Sequence, residues 1–260
     1  MTELLQCLAV QRRFGDFVAT KGIDLSVRRG EIVGIIGANG AGKTTLLNIV
    51  SGYLKPTAGR VMFRGVDVTG LPPRALVRQG IARSFQVPQL FGSCTALENM
   101  MIAQSLLVEP RSSLRRRFSD KALIDQAQRV LGAYGIAEHA GAVVANIPQG
   151  VRKLLDIAMA TCASPDLVLL DEPTSGVSAD EKDGLVSRLI GRFGGTSCAV
   201  VFIEHDMDIV RDYASRVIAL YDGQIIADGD VGDVFNNSDV ARFITGAVDA
   251  ARSEDRHASD

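Results

Sequence analysis

The sequence lacks the features that mark a secreted or membrane-spanning chain. Its first ten residues, MTELLQCLAV, have neither the basic start nor the small-residue cleavage site of a signal peptide. No apolar run approaches the roughly 18 residues that a membrane span needs. We therefore expect a soluble, cytoplasmic protein whose contact with a membrane is made through a partner or a surface.

Closely spaced cysteines are missing as well. The sequence contains no CxxC pair, and no cysteine has a histidine at a spacing suited to zinc, which argues against a zinc site. We expect reduced thiols that behave as small hydrophobic side chains. These cysteines are Cys7, Cys94, Cys162 and Cys198.

The sequence also has no excess of charge of one sign. Lys and Arg total 28 and Asp and Glu total 30, so the formal net charge of -2 gives no reason to expect nucleic acid as a partner. One dense basic cluster is present, RSSLRRRF at 111–118, followed by Lys121. Most such runs are solvated faces. The alternative is that this cluster contacts anionic lipid headgroups near a membrane partner.

Apolar strand-like runs alternate with helical patterns, which predicts an α/β fold with a mainly parallel sheet. Helical spacing of apolar residues dominates from about 94 to 162 and indicates a helical insertion. Asp222-Gly223 between two apolar runs predicts a hairpin. The strand-like runs are 4–10, 23–27, 31–37, 59–68, 81–85, 166–170, 198–203 and 216–229.

The strongest single motif is GANGAGKTT at 37–45, which matches the phosphate-binding pattern G-x-x-x-x-G-K-[ST]. Its glycines let successive backbone N–H groups point at phosphate oxygens, and a helix beginning near Thr44 adds its positive end. Lys43 is expected to reach the β- and γ-phosphates, and the Thr44 hydroxyl to bind Mg²⁺. The predicted ligands are therefore ATP and Mg²⁺, and the predicted nucleotide-binding residues are Gly37, Asn39, Gly40, Ala41, Gly42, Lys43, Thr44 and Thr45.

Two acidic residues follow the apolar run LVLL. In phosphate-loop ATPases an aspartate at the position of Asp171 holds Mg²⁺, and the adjacent Glu172 is well placed to act as general base toward a water molecule. Taken alone, two acids after a strand are more often a solvated turn. The phosphate loop upstream makes the catalytic interpretation the stronger one.

Two further polar residues also follow strand-like runs. His205 comes after AVVFI, and Gln86 ends IARSFQ. An isolated histidine at a strand end is usually structural, and an isolated glutamine is usually a surface residue. If both strands join the sheet that carries Asp171, His205 faces the γ-phosphate and Gln86 bridges Mg²⁺ and the attacking water. We therefore count both as catalytic candidates beside Glu172, with Gln86 also a metal candidate.

In order, the chain carries GANGAGKTT, SFQVPQLF, a helical insert, DLVLLDEPTSG and VFIEHD. From about residue 4 to 246 it resembles the ATP-binding cassette ATPases, the motor subunits of ABC transporters. The passages GYLKPTAGRVMFRGVDVTGLPP, ARSFQVPQLF and IEHDMDIV resemble the branched-chain amino acid importers most. Related importers for amides, urea or organic acids have similar passages.

The resemblance implies a phosphate-loop NTPase core with a mainly parallel sheet, an N-terminal antiparallel β subdomain and a helical insertion. We expect residues 1–93 to form the first part of the core with the β subdomain, and 94–162 the helical subdomain. Residues 163–248 would complete the core, and 249–260 would be a disordered tail.

The resemblance also assigns residues at the edges of the site. Phe14 falls where the family places an aromatic that stacks on adenine, although a core or edge position is an equally good interpretation. Ser178 falls in the loop that crosses between subunits, where the family usually has an acid or an amide.

The family signature L-S-G-G-Q, which binds the γ-phosphate of ATP held by the opposite subunit, is Ile147-Pro148-Gln149-Gly150-Val151 here. Pro148 lacks both a serine hydroxyl and a backbone N–H, though proline suits the first turn of a helix. We expect the helix to be intact, with Pro148, Gln149 and Gly150 facing the partner's nucleotide with a weakened grip.

A faulty signature impairs both sites of a homodimer, but only one site of a heterodimer with an intact second cassette. The expected partners are therefore a second ATP-binding cassette subunit and transmembrane permease subunits, with the chain peripheral on the inner face of the cell membrane. Two other functions stay open: a soluble cassette ATPase in DNA repair or translation, and a degenerate cassette that binds ATP only to regulate its partner. Glu172 and His205 argue against the regulatory cassette.

Overall fold

A computed structural model of the chain describes residues 3–107 and 121–245. The basic cluster at 111–118 and the tail from 249 to 260 lie outside the described residues. Within the described ranges, no helix is both long and apolar enough to cross a bilayer. The four cysteines are free thiols, and burial raises the pKa of Cys7 to about 12, which keeps that thiol protonated.

The described residues form the following strands and helices. The strands are β1 (Glu3–Phe14), β2 (Phe17–Arg28), β3 (Ile32–Gly37), β4 (Ala58–Phe63), β5 (Val66–Asp67), β6 (Ile81–Ser84), β7 (Leu167–Asp171), β8 (Ala199–Ile203), β9 (Arg216–Tyr221) and β10 (Gln224–Gly229). The helices are α1 (Lys43–Val50), α2 (Pro73–Gln79), α3 (Ala96–Leu107), α4 (Lys121–Ala133), α5 (Gln149–Thr161), α6 (Ala179–Phe193), α7 (Met207–Tyr213), α8 (Val231–Phe235) and α9 (Ser238–Val240).

The first sheet is antiparallel, with the order β2-β1-β4-β5. Strand β1 pairs with β2 on one side and with β4 on the other. This sheet confirms the expected N-terminal antiparallel subdomain. The helices α3, α4 and α5 lie within residues 94–162, as expected for the helical insertion, while the exact domain boundaries stay a prediction.

The second sheet is mainly parallel, with the order β10-β9-β3-β8-β7-β6. All its pairings are parallel except the hairpin of β9 and β10. Asp222 and Gly223 form the two-residue turn of that hairpin with φ angles of 48° and 75°. Two positive φ angles are the mark of a type I′ turn, so the hairpin prediction is confirmed.

Parallel pairing brings the carboxyl ends of four strands to one edge of the sheet. Ile203 at the end of β8 pairs with Ile35 of β3 and with Asp171 of β7, and Ser84 at the end of β6 pairs with Leu170. The residues that follow each strand therefore emerge side by side. This edge is where an open α/β sheet binds its ligands.

The parallel sheet is buried on both faces, which explains its unbroken apolar runs. On one face, Leu167 and Leu169 pack with α1 and the antiparallel sheet. On the other face, Val168 and Leu170 pack with the helices, including Leu155 of α5. Helix α5 is thus seated directly on the sheet that carries the strand ends.

We expect Leu155→Ala to lower the free energy of unfolding by about 2–5 kcal/mol, because it leaves a cavity in the core beneath α5. Leu155 is fully buried, whereas Leu106 in α3 is 75% exposed. Leu106→Ala is the matched control and should change stability little. Urea unfolding followed by circular dichroism measures both, and equal losses for the two variants would contradict this packing.

Candidate active site

The phosphate loop runs from the end of β3 into α1. Gly42 caps α1 with φ 98°, and the helix begins at Lys43, one residue before the expected start. A Cβ at Gly37 would lie 2.3 Å from the carbonyl oxygen of Leu220, and one at Gly42 would lie 2.5 Å from that of Ala19. The loop therefore needs glycine for its backbone angles and for its close contact with neighbouring strands.

Lys43 bends back over the loop. Its Nζ donates to the carbonyl oxygens of Gly37 at 2.6 Å and Ala38 at 3.0 Å. Burial lowers the pKa of this ammonium, and the nearby carboxylates of Glu172 and Asp171 oppose that shift. The lysine is thus a partly desolvated cation at the loop, placed for phosphate.

A cleft of about 200 Å³ opens at this loop. It brings together the predicted loop residues, the general-base candidate, the histidine from the end of β8 and aromatic side chains from the antiparallel sheet. Its lining consists of Phe14, Phe17, Ala19, Asn39, Gly40, Ala41, Gly42, Lys43, Thr44, Thr45, Glu172 and His205. Phosphate-binding backbone and carboxylate chemistry therefore share one cavity.

Glu172 is held from both sides. Its Oε1 lies 3.0 Å from Nε2 of His205, and its Oε2 accepts a hydrogen bond of 2.6 Å from Nε2 of Gln86. Glu172 also has φ 48°, a strained angle of the kind found at functional sites. The structure thus places all three catalytic candidates in one cluster.

Asp171 lies one residue earlier, at the end of β7. Its Oδ2 accepts a hydrogen bond of 2.9 Å from Nη2 of Arg83. Burial raises the pKa of Asp171, the charge of Arg83 opposes the rise, and the nearby Thr44 hydroxyl also helps to lower the pKa of the carboxyl. Gln86 and Asp171 contact the cleft's residues without lining it.

The oxygen atoms of Thr44 and Asp171 fit Mg²⁺, a hard cation that prefers oxygen ligands and usually takes only one or two carboxylates plus substrate phosphates. The described residues contain no group of three or more His, Cys, Asp or Glu side chains suited to a metal ion. A Mg²⁺ site shared with the nucleotide is consistent with both observations.

The signature segment lies at the start of α5, away from this cleft. The helix runs from Gln149 to Thr161, so the expectation of an intact helix is confirmed. Pro148 precedes the first turn as the N-cap rather than lying within it, and its carbonyl accepts from the N–H of Arg152 at 3.0 Å. Pro148 makes no side-chain cap bond.

Four residues at or near the site were not found by motif reasoning. Phe17 pairs with Phe14 across the β1–β2 turn, and only the strand register brings it to the cleft. Arg83 and Lys153 are charged residues within apolar patterns, an anomaly that is a usable signal. Lys153 donates to the backbone carbonyls of Gln86 and Glu172. Glu204 is buried and accepts from the Thr174 hydroxyl.

Comparison with known proteins defines the class that this fold and site belong to. The sequence model of the ABC transporter family matches residues 20–175. The chain belongs to this family, and its activity is that of an ATP-binding cassette ATPase.

Individual relatives cover nearly the whole chain. It is 34% identical to the high-affinity branched-chain amino acid transport ATP-binding protein LivG of Salmonella typhimurium, over 94% of this chain and 98% of that protein. It is 30% identical to BraF of Pseudomonas aeruginosa, a protein of the same description, over 94% and 98%.

Solved structures agree with this assignment. A nucleotide-free ATP-binding cassette superposes with a TM-score of 0.83 at 29% identity, covering 93% of this chain and 98% of that one. The ADP conformation of the cassette MJ1267 superposes with 0.82 at 30% identity, covering 94% and 98%.

We expect Gly42→Ala to weaken nucleotide binding by about tenfold or more, because a displaced loop loses charge-assisted hydrogen bonds to phosphate. Gly65→Ala is the matched control. Gly65 also has a positive φ, 76°, but a Cβ there meets nothing within 4 Å. The control should cost about 1–2 kcal/mol of stability and leave binding unchanged. Titration with a fluorescent ATP analogue measures this, and equal affinities for the two variants would refute the assigned role of the loop.

Proposed function

We propose that the chain is the ATP-hydrolysing subunit of an importer for branched-chain amino acids or related small polar solutes. The observation that carries the proposal is the Glu172 carboxylate, held between Gln86 and His205 beside the phosphate loop. The names of the relatives supply the solute class, since LivG and BraF are branched-chain amino acid transport ATP-binding proteins.

Each side chain of the cleft has a distinct part in hydrolysis. Lys43 and the loop N–H groups bind the β- and γ-phosphates. Thr44, Asp171 and Gln86 would hold Mg²⁺, which would supply positive charge beside the transferring phosphoryl group. Glu172 accepts a proton from the attacking water. His205 keeps the Glu172 carboxylate turned toward the γ-phosphate.

The nucleobase end of the cleft is aromatic. Phe14 and Phe17 are both exposed there, and the guanidinium of Arg12 lies 4.6 Å from the centre of the Phe14 ring. A base stacked on such a ring gains about 1–3 kcal/mol. We assign the adenine to Phe14, with Phe17 closing the adjacent side.

The partner is a second cassette with an intact signature. Pro148 offers no hydroxyl and no N–H at the helix start, and Val151 replaces the final glutamine with an apolar side chain. Asp180 and Glu181 line a hollow shared with Gly150 and Val151, together with one arginine, Arg188. The two carboxylates outnumber that guanidinium and oppose the approach of a phosphate. We therefore favour a heterodimer, in which this chain supplies Glu172 and the partner supplies the signature.

Permease subunits dock on the surface near Gln86. Val87 and Phe91 are 68% and 52% exposed, and the backbone of Gly92 pairs with Ala145, which sets Val143 beside this segment. Val87 and Phe91 lie within five residues after Gln86 in the chain, so a subunit bound here contacts the segment that holds Glu172. Such docking places the chain on the inner face of the cell membrane.

A regulatory cassette without hydrolysis is the second candidate, and only the signature segment favours it. A soluble cassette ATPase of DNA repair or translation is a weaker candidate, since this chain carries one cassette and the described residues contain no long coiled coil. The intact arrangement of Glu172, His205 and Gln86 favours hydrolysis over regulation alone.

Repair of the signature tests the heterodimer. In the Glu172→Gln background, Pro148→Ser with Val151→Gln should convert a monomer into an ATP-bound dimer, because each restored hydrogen bond to phosphate is worth about 1.5–3 kcal/mol. Sedimentation velocity with Mg²⁺ and ATP measures this. Pro165→Ser with Val66→Gln is the control and should stay monomeric. A stable ATP-bound dimer without repair would exclude a need for the second cassette.

Uptake by cells tests the importer function with all native subunits present. A host strain from which the gene for this chain is deleted should regain uptake of labelled leucine when the wild-type chain is supplied. The Glu172→Gln chain should not restore uptake, because loss of the general base slows hydrolysis about 100-fold or more. Glu138→Gln, on an exposed turn, should restore uptake fully. Full uptake with Glu172→Gln would disprove the role of Glu172, and unchanged leucine uptake in the deleted strain would redirect the solute to amides, urea or organic acids.

A further inference from the structure

Arg83 is a buried cation that the hydrolysis chemistry described above does not use. It lies within β6, and its side chain is only 5% exposed. Its guanidinium donates 2.7 Å to Oδ1 of Asn48, 2.8 Å to Oγ of Ser51 and 2.9 Å to Oδ2 of Asp171. One side chain thus links β6 to α1 and to the end of β7.

The surroundings of Arg83 are aromatic. Its Cζ lies 5.8 Å from the ring centre of Tyr53 and 5.1 Å from that of Phe85, and those two rings meet edge to face. A guanidinium this close to aromatic rings gains cation–π attraction. With Nη1 bonded to Asn48 and Ser51 and Nη2 bonded to Asp171, the guanidinium has little freedom to turn.

Stability alone does not explain this arrangement. Buried ion pairs are often no more stabilising than apolar side chains of the same volume. Arg83 Nε also lacks a hydrogen-bond partner within the described part of the chain, so the guanidinium is incompletely satisfied. The incomplete hydrogen bonding of this buried guanidinium points to a role of Arg83 in the neighbouring site.

We propose that Arg83 is a positioning residue that fixes the Asp171 carboxylate against Thr44 and so sets how strongly Mg²⁺ strengthens nucleotide binding. The inference rests on the proposed role of Asp171 in holding Mg²⁺. Without Arg83, the cations whose charges already act on Asp171 are Lys43 and Lys153. The carboxylate is then free to turn toward either ammonium and away from Thr44.

The test is calorimetric titration of ADP, with Mg²⁺ and with EDTA, because binding of ADP requires neither hydrolysis nor a second cassette. The readout is the ratio of the two affinities. Loss of a residue that orients a metal ligand lowers metal affinity by about 10–100-fold. We expect Arg83→Met and Arg83→Lys both to lower the ratio at least about tenfold, with affinity in EDTA unchanged. Lysine has a single ammonium, which cannot reproduce the three-way fork.

Arg216→Lys is the matched control, since Arg216 is also a partly buried arginine bonded to two carboxylates, Asp228 and Glu31. It pairs with Val33 at the start of β3, whereas the loop follows the end of β3. This control should keep the wild-type ratio. Thermal unfolding confirms that each variant is folded. If Arg83→Met does not fold, Asn48→Ala with Ser51→Ala removes the anchors on α1, and the same fall in ratio is expected.

Asp171→Asn separates the two possible failures. If it keeps the wild-type ratio, Asp171 does not hold Mg²⁺, and the proposed metal site fails together with the inference. The other result is that Asp171→Asn lowers the ratio of ADP affinities with Mg²⁺ and with EDTA, while folded Arg83→Lys and the Asn48→Ala, Ser51→Ala variant keep the wild-type ratio. In that case the metal site stands and only the positioning role of Arg83 is overturned.

Discussion

The parallel pairing of β3, β8, β7 and β6 is the constraint on which the rest of the structure depends. Each strand delivers one functional segment to the same edge: the phosphate loop, His205, the pair Asp171 and Glu172, and Gln86. A shift of one residue in any of these registers would turn a catalytic side chain to the opposite face of the sheet. The contacts of Glu172 with His205 and Gln86 exist because the β6–β7 and β7–β8 registers agree.

Buried charged side chains surround this edge of the sheet, and each one needs a nearby opposite charge or hydrogen bond. Burial lowers the pKa of Lys43 and of Lys153 and raises that of Asp171 and of Glu204, and in each case a nearby charge or hydrogen bond opposes the shift. The ammonium of Lys153 donates hydrogen bonds to the backbone carbonyls of Gln86 and Glu172. Helix α5, whose N-terminus we propose faces the partner, is thereby tied to the two segments that carry Gln86 and Glu172.

How much of this could be predicted from the sequence depends on the residue. Local patterns identify the loop at 37–45 by its motif. They identify Glu172 and His205 by their position directly after apolar strands, which can be recognised within a few neighbouring residues. Phe17 reaches the cleft only through its pairing with Phe14, and Arg83 reaches Asp171 only because β6 lies beside β7. Arg83 and Asp171 are 88 residues apart in the chain, so no local pattern identifies Asp171 as the partner of Arg83, and Phe17 reaches the cleft only once β1 and β2 have paired.

Pro148 shows a smaller limit of the same kind. Proline suits either the cap or the first turn of a helix, and the backbone alone decides that it is the N-cap. Both positions leave the helix start without a hydroxyl. The consequence for function is the same, although the geometry differs by one residue.

In the proposed heterodimer, this chain contributes a cleft that is equipped for hydrolysis. Its signature helix is poorly equipped to complete the partner's site. The most direct test is steady-state ATP hydrolysis by the purified chain over a wide range of its concentration, with ATP binding measured in parallel and Glu172→Gln as control. The account predicts ATP binding with no appreciable turnover at any concentration. Turnover that rises more than linearly with concentration and disappears in Glu172→Gln would contradict it, since the chain would then complete its own sites.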